Sequence, residues 1–521
     1  MREPRKRVVL VGAYDTNTVS LAPHILKAYA EKYEIAKKFD IITKEFSIFS
    51  DTVSSISCEL NKLNPDIIGF SVYIWNYNEV LEIVKRVNAV CVLGGPQVTG
   101  IEKEILRKNP KIKIIVTGEG EITFKELLEY FADEKPLEEI QGLTAYSLQT
   151  KPRDSLVDLD SIPSVYAAIF KSNPHLSWIC YETSRGCPMG CRFCTWSFSK
   201  KMRYMSIDSV RKDLELIFRQ KNIERIYLCD SSILLNRQRA KEILRYIIRH
   251  CGDKEIIFEF RVEQLDGEII GLMRQLPNNE YHLGIQTINE DALRIMGRTF
   301  DRKKFERAYM KIIKGAECRN MVIDLIYGLP GDDINGYKRS IDYVFSLPAV
   351  NRVITNPLIV LPGSEFYSRC DMLGIKLRDK KSFIVSENAT FSREDMELAR
   401  AYSFFISVVY LNSRLVDCIK LMAEERNAGP MDTITEFMRS LPFDISGGLG
   451  YPYMTPSIKE DFHLRNRVFR NVISMFDELI DSFRGFSSHR YDTLLSDYRQ
   501  DYTNHYYRLK KFSGISCRPK K

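Results

Sequence analysis

Ser184-Arg185-Gly186-Cys187-Pro188-Met189-Gly190-Cys191-Arg192-Phe193-Cys194 places three cysteines within eight residues, directly after an apolar strand pattern at 179–183. Three thiolates on one short loop point to metal. A structural zinc site wants four ligands, and no fourth Cys or His lies at pairing distance: His175 and Cys180 precede the loop on the wrong side of the strand. The loop instead suits a cubane iron–sulfur cluster that keeps one iron open, which is where a cofactor can bind.

The pattern downstream of the loop fixes the surrounding fold. Strand-like runs at 179–183, 225–230, 256–261, 281–286, 321–325 and 353–358 alternate with helical periods at 207–220, 237–249, 266–275 and 334–345. Six βα units in about two hundred residues predict a partial (β/α)6 TIM-type barrel, because a closed eightfold barrel takes roughly 250.

Upstream, short Val/Ile/Leu runs at 7–11, 39–46, 67–73, 89–93 and 112–116 alternate with amphipathic stretches such as 79–87 and 124–131. Nearly continuous apolar strands are expected where both faces of a parallel sheet are covered, so this half reads as a doubly wound, Rossmann-like α/β domain. Ligands of such sheets bind beyond the carboxyl ends of the strands. Those ends carry Asp15, Thr16 and Asn17; Ser71, Tyr73, Ile74 and Trp75; Gly94, Gly95, Pro96 and Gln97; and Gly118, Glu119 and Gly120.

The domains are therefore expected at 1–150 (Rossmann-like), 151–174 (a proline-containing linker), 175–386 (the barrel) and 387–521 (a mostly helical substrate or cap region). In the last region 394–425 and 466–484 keep helical spacing around a glycine-rich stretch at 446–450. Tyr491, Tyr498, Tyr502, Tyr506 and Tyr507 form a tyrosine-rich end, read as packing.

The net charge of +8, from 76 basic and 68 acidic residues, is a small excess at this size and gives no indication of nucleic-acid binding. No stretch reaches the roughly 18 apolar residues of a spanning helix. The run Val8-Val9-Leu10-Val11 is too short for a signal peptide and is followed by Asp15 and Asn17. A cytoplasmic protein with reduced thiols is expected, not a disulfide scaffold built from its 12 cysteines.

The spacing Cys187-x3-Cys191-x2-Cys194, with Phe193 before the last cysteine, resembles the radical S-adenosylmethionine superfamily. In that family the methionyl amine and carboxylate bind the open iron of a [4Fe–4S] cluster, and one electron cleaves S-adenosylmethionine to a 5′-deoxyadenosyl radical. The resemblance implies that Phe193 sets backbone against the adenine and that Asp230, Glu259, Arg261 and Gln286, at the ends of later strands, hold the cofactor. Arg261 would pair with the carboxylate, and Leu361 belongs to a segment that resembles the family's adenine side.

The domain ahead of the barrel, with strands ending in Gly-Gly-Pro and Gly-Glu-Gly-Glu, resembles the cobalamin-binding subgroup of that superfamily over residues 5–385. The resemblance assigns the four rim segments to the corrin and its nucleotide loop. The signature Asp-x-His-x-x-Gly is absent, and His24, in the first helix, reads as structural, so no ligand to cobalt is assigned.

The implied activity is methylation of an unactivated carbon or phosphorus through methylcobalamin. Radical cyclisation, ring contraction or rearrangement without methyl transfer is the alternative. A cobalamin or redox sensor is the non-enzymatic one. The expected partners are a small-molecule or peptide substrate and an external reductant such as flavodoxin or ferredoxin. No residue is assigned to act on the substrate.

Overall fold

Six strands, β1 (Lys6–Tyr14), β2 (Phe39–Ser47), β3 (Ile67–Ser71), β4 (Val90–Gly94), β5 (Ile112–Val116) and β6 (Leu143–Ala145), form the first sheet. The order is β2-β1-β3-β4-β5-β6, parallel except for β6, which pairs antiparallel with β5. The computed structural model describes residues 5–14, 17–196, 199–314, 320–379, 382–410 and 413–440. Asp15, Thr16, the helix expected at 466–484, the glycine-rich stretch and the five C-terminal tyrosines lie outside the described residues.

Val8, Val9, Leu10 and Val11 are all buried, because helices cover both faces of this sheet. On one side Val9, Val11, Ile68, Phe70 and Leu93 pack against α2 (Val53–Lys62), α3 (Tyr77–Arg86) and α4 (Glu102–Lys108). On the other, Val8, Leu10, Val92 and Ile114 pack against α1 (Leu21–Ala30) and α5 (Glu121–Phe131). Each fully buried Val or Leu contributes roughly 2 kcal/mol by leaving water. The chain changes direction between β1 and β3, so the crevice for a ligand opens at the carboxyl ends of those two strands.

The segment expected to be a linker contains a short helix, α6 (Tyr166–Ser172), whose Tyr166 and Ile169 are buried in the barrel core. Seven residues beside prolines are too few to carry a helical period.

The second sheet starts with β7 (Trp178–Tyr181). A two-residue hairpin, β8 (Ser184–Arg185) with β9 (Arg203–Tyr204), follows it. The sheet continues through β10 (Arg225–Leu228), β11 (Glu255–Glu259), β12 (Asn278–Gln286), β13 (Met321–Tyr327) and β14 (Arg352–Pro357). All six main strands are parallel and adjacent in chain order, as in a barrel left open between β7 and β14.

Its outer face is covered by α7 (Ile207–Phe218), α8 (Arg237–His250), α9 (Gly267–Met273), α10 (Glu290–Ile295), α11 (Arg302–Ile313) and α12 (Ile334–Ser346). Ser206, Asn236, Asp266, Asn289, Asp301 and Asp333 cap their first turns by accepting from backbone N–H groups.

After a short helix, α13 (Glu365–Ser368), the stretch 394–425 forms two helices where one continuous period was expected: α14 (Arg393–Val409) and α15 (Ser413–Glu425), followed by α16 (Pro430–Ser440). α14 lies on the open edge of the barrel, where the Thr355 hydroxyl donates to Ser403 Oγ at 2.5 Å and Ser403 Oγ donates to the Thr355 carbonyl at 2.8 Å. Among the described residues no helix is long and apolar enough to cross a membrane.

Candidate functional site

The β8–β9 hairpin pinches the cysteine loop at its base, with Arg185 directly opposite Arg203. Gly186 adopts φ +102°, and a Cβ there would lie 2.4 Å from the Lys201 carbonyl oxygen, so the turn needs glycine. The loop is then strapped down by backbone. The Cys187 N–H donates to Ser199, Arg192 N–H to Met296 and Phe366 N–H to Arg192, each at 3.0 Å. The Trp196 N–H donates to Cys194 Sγ at 3.3 Å, a bond that stabilises a thiolate.

Burial pushes the Cys194 thiol up to about 11, and charge on Cys191 and Cys187 pushes it the same way, so the three thiols bear on one another. Among the described residues no three His, Cys, Asp or Glu side chains close on a single ion. The all-sulfur donor set of Cys187, Cys191 and Cys194 on one loop fits the cysteine ligation of a [4Fe–4S] cluster.

Two guanidinium groups flank the loop. Arg261 donates to the Met189 sulfur at 3.4 Å and to the Thr299 carbonyl at 3.1 Å. Arg298, which sequence reasoning missed, donates to the Gly284 carbonyl and hydrogen-bonds Cys191. Gln286 ends β12 at φ +70°, a backbone that a residue with a side chain adopts only under constraint. Its amide folds back over Gly284, where a Cβ would meet Nε2 at 2.5 Å.

Asp230 is buried and already engaged, accepting from the Thr183 N–H, the Thr183 hydroxyl and the Ser184 hydroxyl. Burial pushes its carboxyl up to about 6. Its observed work is to hold the strand that feeds the cysteine loop. Phe193 is half-buried against the barrel core, and Leu361 lies after β14, where its carbonyl accepts from Ser364.

Burial alternates along β7, β10 and β14, one face packed under helices and the other part-exposed. In β10, Ile226 and Leu228 are buried under helices while Arg225 and Tyr227 face inward. Glu259 is surrounded by protein yet open to water, which places it on the inner face. Burial raises its carboxyl, and the Tyr227 hydroxyl donates to it at 2.5 Å.

Toward the amino-terminal ends of the strands, Arg225 pairs with Glu255 at 2.5 Å and Arg352 with Glu280 at 2.8 Å. His282 lies 2.8 Å from Glu280 and 3.7 Å from Asp324. Burial opposes its charge, but the Asp324 and Glu280 carboxylates outweigh that and hold it at about 9. We take Glu280, the closer, as the direct hydrogen bond and Asp324 as a through-space charge.

At the rim of the first sheet, Asn76 knits the ends of β1 and β3 by donating to the Ala13 and Ser71 carbonyls and accepting from the Tyr73 N–H. The Trp75 indole donates to the same Ala13 carbonyl at 3.2 Å. Tyr73 and Trp75 stack 4.4 Å apart, with Ile74 between them in sequence, and Tyr14 joins Trp75 to Trp178 of the barrel. Burial raises the Tyr73 hydroxyl to about 12, and Glu182, Cys229 and Cys180 of the barrel wall add to this. The rim of one sheet therefore opens onto the mouth of the other.

Asn17 supplies a carbonyl to the N–H groups of Ser177 and Trp178. Gly94 accepts from Val72, and Gly95 has φ +119°, where a Cβ would lie 2.4 Å from the Val72 oxygen. Pro96 opens a turn that buries Gln97. Gln97 Nε2 and Thr18 Oγ1 are buried with no hydrogen-bond partner among the described residues. Unmet donors at a switch-point crevice lined by aromatics fit a large polar cofactor such as cobalamin.

Gly118 and Gly120 frame Glu119, whose carboxylate is taken up by Arg203 and the Leu156 N–H. His24 sits 3.4 Å from Glu45 beneath Gly12, a buried pair within the first domain.

The chain matches the B12 binding domain over residues 7–128 and the Radical SAM superfamily over residues 181–344. An uncharacterized methyltransferase of Pyrococcus horikoshii is 28% identical over 263 residues, 47% of this chain and 57% of that protein. The cobalamin-dependent radical SAM methyltransferase TokK of Streptomyces tokunonensis is 21% identical over 416 residues, 73% of this chain and 59% of that one. The chain thus spans less than two thirds of the length of either relative. The cobalamin-dependent S-adenosylmethionine radical enzyme OxsB, solved with aqua-cobalamin and S-adenosylmethionine bound, shares the fold. Its TM-score is 0.65 at 15% identity, covering 95% of this chain and 84% of that one.

Proposed function

We propose that this chain, which joins a B12-binding domain to a radical S-adenosylmethionine domain, is a cobalamin-dependent radical enzyme that methylates an unactivated carbon or phosphorus of a small molecule or peptide. The observation that carries the reading is the contact between the two domains beside the cysteine loop, where Glu119 and Glu121 of the first pair with Arg203 and Arg185 of the second and Tyr14 packs on Trp178. A substrate held there has the cysteine loop on one side and the corrin crevice on the other. When bound, the cluster supplies the electron that turns S-adenosylmethionine into a deoxyadenosyl radical, and cobalamin carries the methyl group.

The chain's own residues do the rest. Cys187, Cys191 and Cys194 hold the cluster, and Arg261 and Arg298 present positive charge for the methionyl carboxylate. Glu259 and Gln286 face the amine and ribose. Asp230 acts on the cofactor indirectly, by holding Thr183 and Ser184 in place.

Product analysis tests the reading. The protein is reconstituted without oxygen with iron, sulfide and cobalamin, then given S-adenosylmethionine and a reductant. Formation of both 5′-deoxyadenosine and S-adenosylhomocysteine supports methyl transfer. Deoxyadenosine alone would move the assignment to cyclisation or rearrangement.

A further inference from the structure

The ends of the cysteine loop are fastened to the other domain by charge. Arg203, only 5% exposed at its side chain, closes the loop and reaches across to Glu119 with both terminal nitrogens, at 2.6 and 2.8 Å. It also donates to the Leu156 carbonyl at 2.7 Å. Arg185, two residues before Cys187, sits among three carboxylates: Glu121 at 2.8 Å, Glu182 at 2.8 Å and Glu119 at 3.8 Å. Glu119 lies in the turn after β5 and Glu121 is the first residue of α5, both on the rim of the first sheet, whereas Glu182 follows β7 of the barrel.

Although burial opposes it, Arg203 and Arg185 hold the Glu119 carboxyl below its ordinary value, so the pair stays charged. Paired charges out of water resist displacement, because losing one partner strands the other.

We propose that this clasp, Glu119 and Glu121 gripping Arg203 and Arg185, is a positioning device that sets the cysteine loop in register with the corrin crevice and thereby couples the two uses of S-adenosylmethionine. Both strands of the hairpin that brackets the cluster are held, and both from the same segment. A structural tie placed for stability alone has no need to converge on the two ends of the metal loop. The coupling half of the proposal rests on the methyl-transfer reading; the clasp itself does not.

The test is a charge swap in the full chain, Glu119→Arg and Arg203→Glu, singly and together, with hydrogen exchange at the amides of 186–196 and 199–202 measured first without cobalamin. Each single reversal is expected to speed that exchange at least about tenfold, as a locally loosened segment does, and the double swap to restore most of the protection. In the reconstituted protein the singles should also lower S-adenosylhomocysteine relative to 5′-deoxyadenosine by about fivefold and alter the electron paramagnetic resonance of the reduced cluster with S-adenosylmethionine, both returning in the double swap.

Unchanged exchange in the singles, or a double swap no better than either, would overturn the clasp. Faster exchange with an unchanged product ratio and spectrum would overturn the coupling and leave a merely structural tie. Wild-type protein that makes no S-adenosylhomocysteine would defeat the methyl-transfer reading and the coupling with it, while the exchange measurement still decides the clasp. Should a reversal fail to fold, Glu119→Gln keeps the shape of the site and carries the same measurements.

Discussion

The molecule contains two six-stranded sheets, the first parallel but for β6 and the second parallel throughout, whose side chains follow different rules. In the first, four consecutive residues of β1, from Val8 to Val11, are buried, because helices press on both faces. In the second, β7, β10 and β14 alternate buried and part-exposed positions along their length. One face there is packed under helices, and the other carries Cys180, Tyr227, Glu259 and His282. A sheet that only presents a rim can be apolar throughout; a sheet that also walls a reaction chamber must give half of its positions to chemistry.

The largest way to separate the two regions is Cys191→Ala. It should abolish 5′-deoxyadenosine formation while cobalamin, read by its absorbance, stays bound to the first domain. Retained deoxyadenosine formation would sink the cluster assignment.

The converse is Gly95→Ala. The added methyl would press on Val72 in a left-handed backbone, at about 3 kcal/mol, and should weaken cobalamin binding while leaving the iron content unchanged. Cobalamin binding as tight as wild type would show that this rim is not the crevice.

A matched pair sharpens the contrast in packing. Val9→Ala, inside the first sheet, should cost about 2 kcal/mol in denaturant unfolding, whereas Cys180→Ala, on the barrel's inner face, should cost less than about 1 kcal/mol. Equal costs would mean that the barrel's inner face is packed, not open.

The smallest effect concerns pH. His282 has its folded value raised from 6.5 to about 9, so its stabilisation is fully present below pH 6.5 and is lost as pH rises through 9. His282→Gln should flatten the fall of thermal stability across that window by on the order of 1 kcal/mol. An unaltered pH profile would remove His282 from the charge network.

Much of this was legible in the sequence because it is local. All six main barrel strands fall where the apolar runs stand. Long-range pairings were not. Glu119 stands beside glycines at a strand end, which reads as a ligand contact, yet its carboxylate meets Arg203, 84 residues away. Asp230 likewise reads as a cofactor ligand, and its bonds from Thr183 and Ser184, 47 and 46 residues away, carry no local signal. Arg298 carries no periodic signal; the turn at Gly297 brings it to Cys191. The strand β6 escaped notice because three residues show no alternation.

The most direct measurement of the central claim is electron paramagnetic resonance of the reconstituted, cobalamin-loaded chain, reduced with and without S-adenosylmethionine. The account predicts about four irons per chain and a reduced-cluster signal whose g values shift when S-adenosylmethionine is added, because an iron left open by Cys187, Cys191 and Cys194 takes it as ligand. A signal indifferent to S-adenosylmethionine, in protein carrying that iron and cobalamin, would contradict it.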